Sequence, residues 1–509
     1  MRIDRVRIKN FKNLKDATID FDESQTTSVV IGKNGAGKSN LLEALVIIFR
    51  DLDLDENTTM FDYEIVYHCK GNNVLITNED GKRTIKVNGE IIAKNKFKIE
   101  KDEYLPSNVF AYYSGNEKRM EEHFEKHQEK FYKEMLNKRD RKFRRLFYAR
   151  PVHSNFVLLS FFSLIDNGNA EFLRRYLDID SLESVLFVIH KPEWAKAQVN
   201  ATKSEFWGSR GYVREFLDDV YKLSLAPLIE SVKVSTGIKK TKMTEFTYLF
   251  LQNQQVLEKL VNKYKAGTEF FKYLESTYLS DLIDEVRIKV KKTDGSVVTF
   301  NELSEGEQQL LTVLGLMKFT EKQEALFLLD EPDTHLNPKW KFEYLKLIED
   351  ISGKNDSSQV ILSTHDPIVI SGLEKESITI FDKKDGITEI HQPEKNPRGM
   401  GIAALLTSDL FDLPTALDLQ TQKDLNRKRN LMFKKDRSTE EDFELDSLNK
   451  SLSDMGFTMT TRDPLYNKFL EKLYNREEFK YEEPTEKERE EMSKLMDEVL
   501  DEILAEENI

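Results

Sequence analysis

Apolar positions alternate at the start of the chain. Ile3, Val6 and Ile8 lead to Phe11, and Ala17, Ile19 and Phe21 follow with the same period, which predicts two half-buried strands. The run Ser28-Val29-Val30-Ile31 is apolar without alternation, as expected of a strand covered on both faces, and it stops at glycines. Leu41, Leu42, Leu45, Ile48 and Phe49 then fall at helical spacing, and strand-like stretches such as Val74-Leu75-Ile76 and Val109 to Tyr113 continue to about residue 113. From about Gly115 the chain becomes rich in long charged side chains and poor in turn signals, which predicts a mostly helical insertion over 116–282. Strand period returns at Val286-Arg287-Ile288-Lys289-Val290-Lys291, with one apolar and one basic face, and Asp294-Gly295 turns the chain. Residues 296–392 alternate strand, helix, strand, helix, strand, the order of a doubly wound sheet. Beyond about residue 396 the pattern is helical and charged. It ends in a stripe of Met492, Leu495, Met496, Val499, Leu500, Ile503 and Leu504 behind a capping-box pattern of Thr485 and Glu488. The fold class expected is α/β, with segments 1–115, 116–282, 283–395 and 396–509 and no internal repeat.

Composition narrows the setting. The 509 residues carry a net charge of −14, which argues against non-specific nucleic-acid binding by the whole molecule and leaves room for local basic patches. A 39% hydrophobic content suffices for a core of two to four domain-sized units. The single cysteine, Cys69, excludes an intrachain disulfide and a cysteine-cluster metal site, and fits a reducing compartment. No apolar run reaches about 18 residues, so no membrane span is expected. The start MRIDRVRIKNFK lacks a signal-peptide core, which together with the cysteine count points to a cytoplasmic location.

Four local patterns carry chemistry. Gly32-Lys33-Asn34-Gly35-Ala36-Gly37-Lys38-Ser39 matches G-x-x-x-x-G-K-[ST] between a buried strand and a helix, and Asn40 extends it into that helix. Glycines let backbone N–H groups turn inward on phosphate oxygens, Lys38 can reach the β- and γ-phosphates, and Ser39 can ligate Mg²⁺. The run Ala325 to Leu329 ends in Asp330-Glu331-Pro332, placing carboxylates at the end of a strand, where Asp330 would hold Mg²⁺ and Glu331 would act as general base. In Leu303-Ser304-Glu305-Gly306-Glu307-Gln308-Gln309, Ser304 and Gly306 open a helix that can meet an anion; read alone, Ser304 and Glu307 are simply a capping box. Val360-Ile361-Leu362-Ser363-Thr364-His365-Asp366-Pro367 ends another strand, and His365 could hydrogen-bond a γ-phosphate.

In this order the four patterns resemble the ATP-binding-cassette ATPases, in the branch of SMC, RecF and overcoming-lysogenization-type enzymes, over about residues 1–115 and 283–392. The resemblance implies an ATPase head with ATP and Mg²⁺ as cofactors, 1–115 and 283–395 being its two halves. It implies a dimer of heads in which Ser304, Gly306 and Glu307 of one protomer close over the nucleotide held by the other, with Asp333-Thr334-His335-Leu336-Asn337-Pro338 crossing the interface. A glutamine-bearing loop of the family has no clear counterpart; the place to look is Tyr113-Ser114-Gly115-Asn116. A long hinged coiled coil is absent, which excludes a long-armed SMC.

Ser39 and Ser304 stand about 265 positions apart, more than a compact transporter ATPase requires. Within the insertion Arg139, Arg141, Lys142, Arg144 and Arg145 form a basic run followed by Phe147 and Tyr148, a candidate nucleic-acid contact or else a solvated helix face. The strand face Arg287, Lys289, Lys291 is a second candidate. The tail, from Gly401-Ile402-Ala403-Ala404-Leu405-Leu406 through Ser408-Asp409-Leu410-Phe411 and Leu417-Asp418 to Asp463-Pro464-Leu465-Tyr466, is similar to that of PtuA-type ATPases of Septu and retron anti-phage systems. That similarity implies a PtuB-like HNH nuclease partner and a homo-oligomer built on head dimers, and in its retron form a reverse transcriptase with its DNA–RNA product. Asp382 and Asp385 do not make the Asp-x-Asp that a Toprim nuclease needs after a strand, so cutting is expected from a partner. A RecF-like repair ATPase that clamps DNA itself, and less readily a transporter subunit, remain alternatives.

Overall fold

The computed structural model describes the chain except residues 23, 57–59, 116–117, 137–143, 164–166, 198–202, 238–239, 265–266, 320–323, 353–357, 385–386, 435, 458–494, 497 and 500–509. It forms two compact units, one of residues 1–405 with 409–411 and one of 406–408 with 412–509.

Among the described residues of the larger unit the strands run in chain order as β1 Arg2–Phe11, β2 Leu14–Asp20, β3 Thr27–Gly32, β4 Asp62–Cys69, β5 Asn72–Glu79, β6 Lys82–Val87, β7 Glu90–Ile91, β8 Asn108–Tyr113 and β9 Leu146–Tyr148, then β10 Ile179–His190, β11 Leu228–Gly237, β12 Lys240–Leu251, β13 Ile283–Lys292, β14 Val297–Thr299, β15 Ala325–Asp330, β16 Gln359–Ser363, β17 Ile378–Lys384 and β18 Ile387–His391. Three sheets result, ordered β2-β1-β4-β5-β6-β7, β11-β12-β10-β13-β14 and β18-β17-β3-β16-β15-β8-β9. The third is parallel from β17 to β9 and carries the antiparallel β18 at its edge.

The central sheet is covered on both faces, which is why its strands read as continuous apolar runs. Val30, Leu326, Leu328 and Ile361 point to a core shared with the first sheet and the helix Lys38–Leu54. Val29, Ile31, Phe327, Leu329, Val360 and Leu362 point the opposite way, to a core shared with the helices Val152–Ser163, Glu305–Phe319 and Pro338–Ser352. The same core reaches the inner face of the second sheet through Val185, Phe187, Leu249, Val286 and Ile288.

The insertion holds the expected helices, among them Glu125–Leu136, Asn167–Leu177, Gly211–Leu223 and Gly267–Leu279. It also holds the long strands β10, β11 and β12, which join β13 and β14 in an antiparallel sheet that the sequence reading did not assign.

In the smaller unit the helices Leu419–Phe433 and Thr439–Asp454 meet at Leu425 and Leu452, beside Phe457. Ser438 and Glu441 close a capping box, and Arg427 grips Glu444 through two bonds of 2.8 and 2.6 Å. The Asp463 to Tyr466 segment and the Thr485 and Glu488 pattern lie outside the described residues; of the terminal stripe only Leu495, Met496 and Val499 are described, all helical. No helix among the described residues is long and apolar enough to cross a membrane.

Candidate functional site

The glycine-rich loop leaves β3 at the carboxyl end of the parallel sheet. Gly32 has φ 146°, and a Cβ there would lie 2.1 Å from the Phe381 carbonyl oxygen on β17, so no side chain fits. Gly35 and Gly37 take φ 78° and 115°, the left-handed region that favours glycine. Gly37 caps the helix Lys38–Leu54 without any side-chain hydrogen bond, so the first N–H groups of that helix face the loop unsatisfied by a side chain. Lys38 folds back to donate from Nζ to the Gly32 carbonyl at 2.8 Å. Burial pulls its ammonium pKa below the ordinary value, against the pull of Glu331 and Asp330.

Two residues from distant strands brace the loop. Asn13, in the β1–β2 turn, donates to the Gly35 carbonyl at 3.1 Å and accepts from Asn40 at 2.6 Å. Thr388 on β18 donates to the Ala36 carbonyl at 2.9 Å and lies 3.2 Å from Asn13 Nδ2. Neither is a phosphate-loop residue. The polar Lys12-Asn13 pair after an apolar strand was the one sequence signal for this brace.

The acids stand at the end of β15, one strand beyond β16 from the loop. Asp330 is buried; its Oδ1 accepts from Ser363 and its Oδ2 has no hydrogen-bond partner. Burial raises its pKa, while the Ser363 and Ser39 hydroxyls favour the charged form. Ser39 therefore comes up to the carboxylate from the loop side without closing a bond to Oδ2. An orphaned buried carboxylate oxygen beside a hydroxyl is a hard-oxygen pair that fits Mg²⁺. Glu331 follows in the left-handed region, φ 51°, with its N–H held by the Ser363 carbonyl at 3.1 Å. This backbone reversal sends Oε1 to within 3.3 Å of His365 Nδ1.

The serine-glycine turn is capped within its own chain. Glu307 N–H donates to Ser304 Oγ at 3.2 Å, and the Ser304 N–H and hydroxyl donate to Glu307 Oε2 at 2.7 and 2.9 Å. Ser304 itself is exposed. Gly306 is buried, and a Cβ on it would lie 2.6 Å from the His335 carbonyl oxygen, so this glycine admits the Asp333 to Pro338 loop. In that loop Asp333 accepts from Thr364 at 3.0 Å, Thr334 donates to the Glu331 carbonyl at 2.9 Å, and the His335 N–H donates to Gln309 at 3.2 Å. Ser114 is 3.2 Å from the Thr334 hydroxyl, so Tyr113-Ser114 abuts the acids; Asn116 lies outside the described residues. Arg119, not singled out by sequence, rests over the Tyr113 ring at 5.9 Å, and its charge is felt by Asp330.

The basic run is corrected in part. Arg139, Arg141 and Lys142 lie outside the described residues. Arg144 is buried in an ion pair with the fully buried Glu275, its guanidinium 4.6 Å from the Phe147 ring centroid. Arg145 ties Asp53 at 2.9 Å and Asp102 at 2.5 Å. Arg144 thus lies in the interior and the Arg145 guanidinium is occupied by two carboxylates, so the described part of the run is not a solvated basic face.

A family model described as "AAA domain, putative AbiEii toxin, Type IV TA system" matches residues 28–371. A "Retron Vc95 probable ATPase" of Vibrio cholerae serotype O1 biovar El Tor is 30% identical over 166 residues, 29% of this chain and 30% of that protein. A "Septu protein PtuA" of Bacillus mycoides (strain KBAB4) is 28% identical over 167 residues, 30% of this chain and 22% of that protein. A "DNA replication and repair protein RecF" of Acetivibrio thermocellus is 32% identical over 119 residues, 22% of this chain and 31% of that protein. The chain thus matches less than a third of the length of each of these relatives. Among solved structures, the "SMC head domain from Thermotoga maritima" is similar with a TM-score of 0.34 and 14% identity, covering 78% of this chain and all of that one.

Proposed function

Because the chain belongs to the AAA-domain family whose model spans residues 28–371, we propose that it binds and hydrolyses ATP with Mg²⁺ at the carboxyl end of its parallel sheet. The observation that carries this reading is the convergence of Lys38 and Ser39 from one side with Asp330 and Glu331 from the other. The loop N–H groups and Lys38 take the phosphate oxygens, Lys38 giving up its Gly32 contact to do so. Ser39 and Asp330 would hold Mg²⁺, which when bound would supply positive charge against the phosphates. Glu331 orients a water and takes its proton as the water oxygen bonds to the γ-phosphorus. The bond from that phosphorus to the β-bridging oxygen breaks, leaving ADP and phosphate. His365, against Glu331, positions that carboxylate and reaches the γ-phosphate.

On the same reading the site is composite. Ser304, Gly306 and Glu307 of a second copy complete it, so that a dimer of heads forms on ATP and higher homo-oligomers build on that dimer. The similarity to Septu PtuA and to the retron ATPase supports a place in anti-phage defence, in which this ATPase restrains or releases an HNH nuclease of the PtuB kind in the cytoplasm and lacks a nuclease site of its own. A retron reverse transcriptase with its DNA–RNA product is a further partner on this reading. The RecF similarity favours a second reading, a repair ATPase that clamps DNA directly.

Equilibrium titration with a fluorescent ATP analogue tests the core of the proposal. Lys38→Ala should abolish binding, and undiminished affinity in that variant would remove the loop from the site. Co-purification with an HNH protein favours defence; tight stand-alone binding to duplex ends favours repair.

A further inference from the structure

The sheet β11-β12-β10-β13-β14 buries one face in the larger core and leaves its other face outside every core cluster of the described residues. Antiparallel register fixes what that outer face carries. Phe250 on β12 stands opposite Leu186 on β10, and Leu186 opposite Arg287 on β13. One step along, Tyr248 stands opposite Leu228 on β11. Phe250 is 36% exposed and Leu228 56%, while Phe246 and Val188 on the same face are buried, so the apolar surface left open is a patch around Phe250 and Leu228. On β13, Arg287, Lys289 and Lys291 alternate with the buried Val286, Ile288 and Val290, so three cations stand in a row about 6.6 Å apart, separated from the aromatic strand β12 by β10. Acids temper this face: Glu285 pairs with Arg287 at 2.7 Å, Glu302 lies within the field of Lys289, and the exposed Glu230 on β11 stands opposite Phe246.

An apolar protein partner would use the rings and leave the cations idle. A duplex would use the cations and hide its base faces from the rings. A single-stranded nucleic acid uses both, with phosphates on the basic row and bases stacked on aromatic faces. We propose that this sheet face binds single-stranded nucleic acid, bases on Tyr248 and Phe250 and phosphates along Arg287, Lys289 and Lys291. The surface stands apart from the phosphate loop, so the inference does not depend on ATP hydrolysis.

The test is fluorescence anisotropy of the full chain with a labelled oligothymidine of about 20 nucleotides and with a duplex of the same length. Wild type should bind the single strand in preference to the duplex and lose roughly 20-fold in affinity between about 50 and 200 mM salt, as three phosphate contacts require. Lys289→Glu with Lys291→Glu should weaken binding at least 10-fold and flatten the salt dependence. Tyr248→Ala with Phe250→Ala should weaken it about 10- to 100-fold and keep the salt dependence. Unfolding midpoints serve as the check on folding, and the lysine pair, being exposed, keeps the test open if the aromatic pair disturbs the sheet. No binding by wild type at low salt, or equal binding by both variants, overturns the proposal. So does a change in native mass of the variants with oligothymidine binding intact, which would mark the face as a protein interface.

Discussion

At the scale of single residues the site depends on one backbone conformation and one close approach that ordinary side chains do not tolerate. Glu331 sits at φ 51°, a region that costs a non-glycine residue on the order of 1–3 kcal/mol and persists only where the surroundings impose it. Here the Ser363 carbonyl and the Thr334 hydroxyl fix the peptides on either side, and the reversal aims the carboxylate at His365 rather than along β15. A glutamine keeps shape and backbone but cannot accept a proton. Glu331→Gln should therefore retain ATP binding and lose about 10²- to 10⁴-fold in turnover, measured as phosphate release under saturating ATP; normal turnover would take the general-base role from this residue. Gly306 is the second case. Alanine there would press on the His335 carbonyl at 2.6 Å, backbone against side chain with no flexible atom to yield. Gly306→Ala should cost about 1–3 kcal/mol in urea unfolding and loosen the loop from Asp333 to Pro338.

At the scale of elements, the phosphate-loop helix is tied at its far end as firmly as at its start. Asp53, in its last turn, receives His127 at 2.9 Å, Lys101 at 2.9 Å and Arg145 at 2.9 Å, so strand β9 and the insertion are both anchored to the helix that carries the loop. Burial alone would raise the Asp53 carboxyl, but those three partners hold it well below the usual carboxylate range. A depressed folded-state pKa gives stability that is present above the unfolded value of about 3.9 and lost as pH falls through the folded value. Asp53→Asn should thus lower stability by about 3–5 kcal/mol at neutral pH, because it strands buried cations, and should flatten the loss of stability that wild type shows on acidification below about pH 5. Denaturant midpoints across that range check both effects. The same ties explain what could be read from the sequence. The phosphate loop, the Asp-Glu pair and the Ser-Thr-His strand end were legible because each is a short run whose strand-to-turn context is local. The brace of Asn13 and Thr388 was not, since it joins residues 375 positions apart, nor was the Arg144–Glu275 pair, whose charges looked solvent-bound in a basic run. Of the second sheet only the β13 strand was legible; β11 is exposed along most of its length and β12 buries residues only in its second half, so their period is faint against the helical insertion around them.

At the scale of the whole molecule the decisive question is whether one chain suffices for turnover. Within a single copy Ser304 is exposed at the surface, satisfied by Glu307, while Lys38, Ser39 and Asp330 of the same chain stand together at the glycine-rich loop. Binding and hydrolysis should then separate. A long cation in place of the exposed serine leaves the glycine-rich loop of its own chain untouched, since no element bracing it includes Ser304, but it spoils the turn offered to a partner's nucleotide. Ser304→Arg should keep ATP affinity within about twofold and fall to background turnover. Mixing supplies the discriminating measurement. Lys38→Ala carries an intact serine turn and a dead loop, and Ser304→Arg an intact loop and a blocked turn, so a mixed dimer contains one whole composite site assembled from the two. If the nucleotide is shared between copies, an equimolar mixture of the inactive variants should regain about a quarter of wild-type turnover, because half the dimers are mixed and each holds one working site of two. A mixture that stays inactive while forming mixed dimers, or a Ser304→Arg chain that hydrolyses normally alone, would place the whole reaction within one protomer.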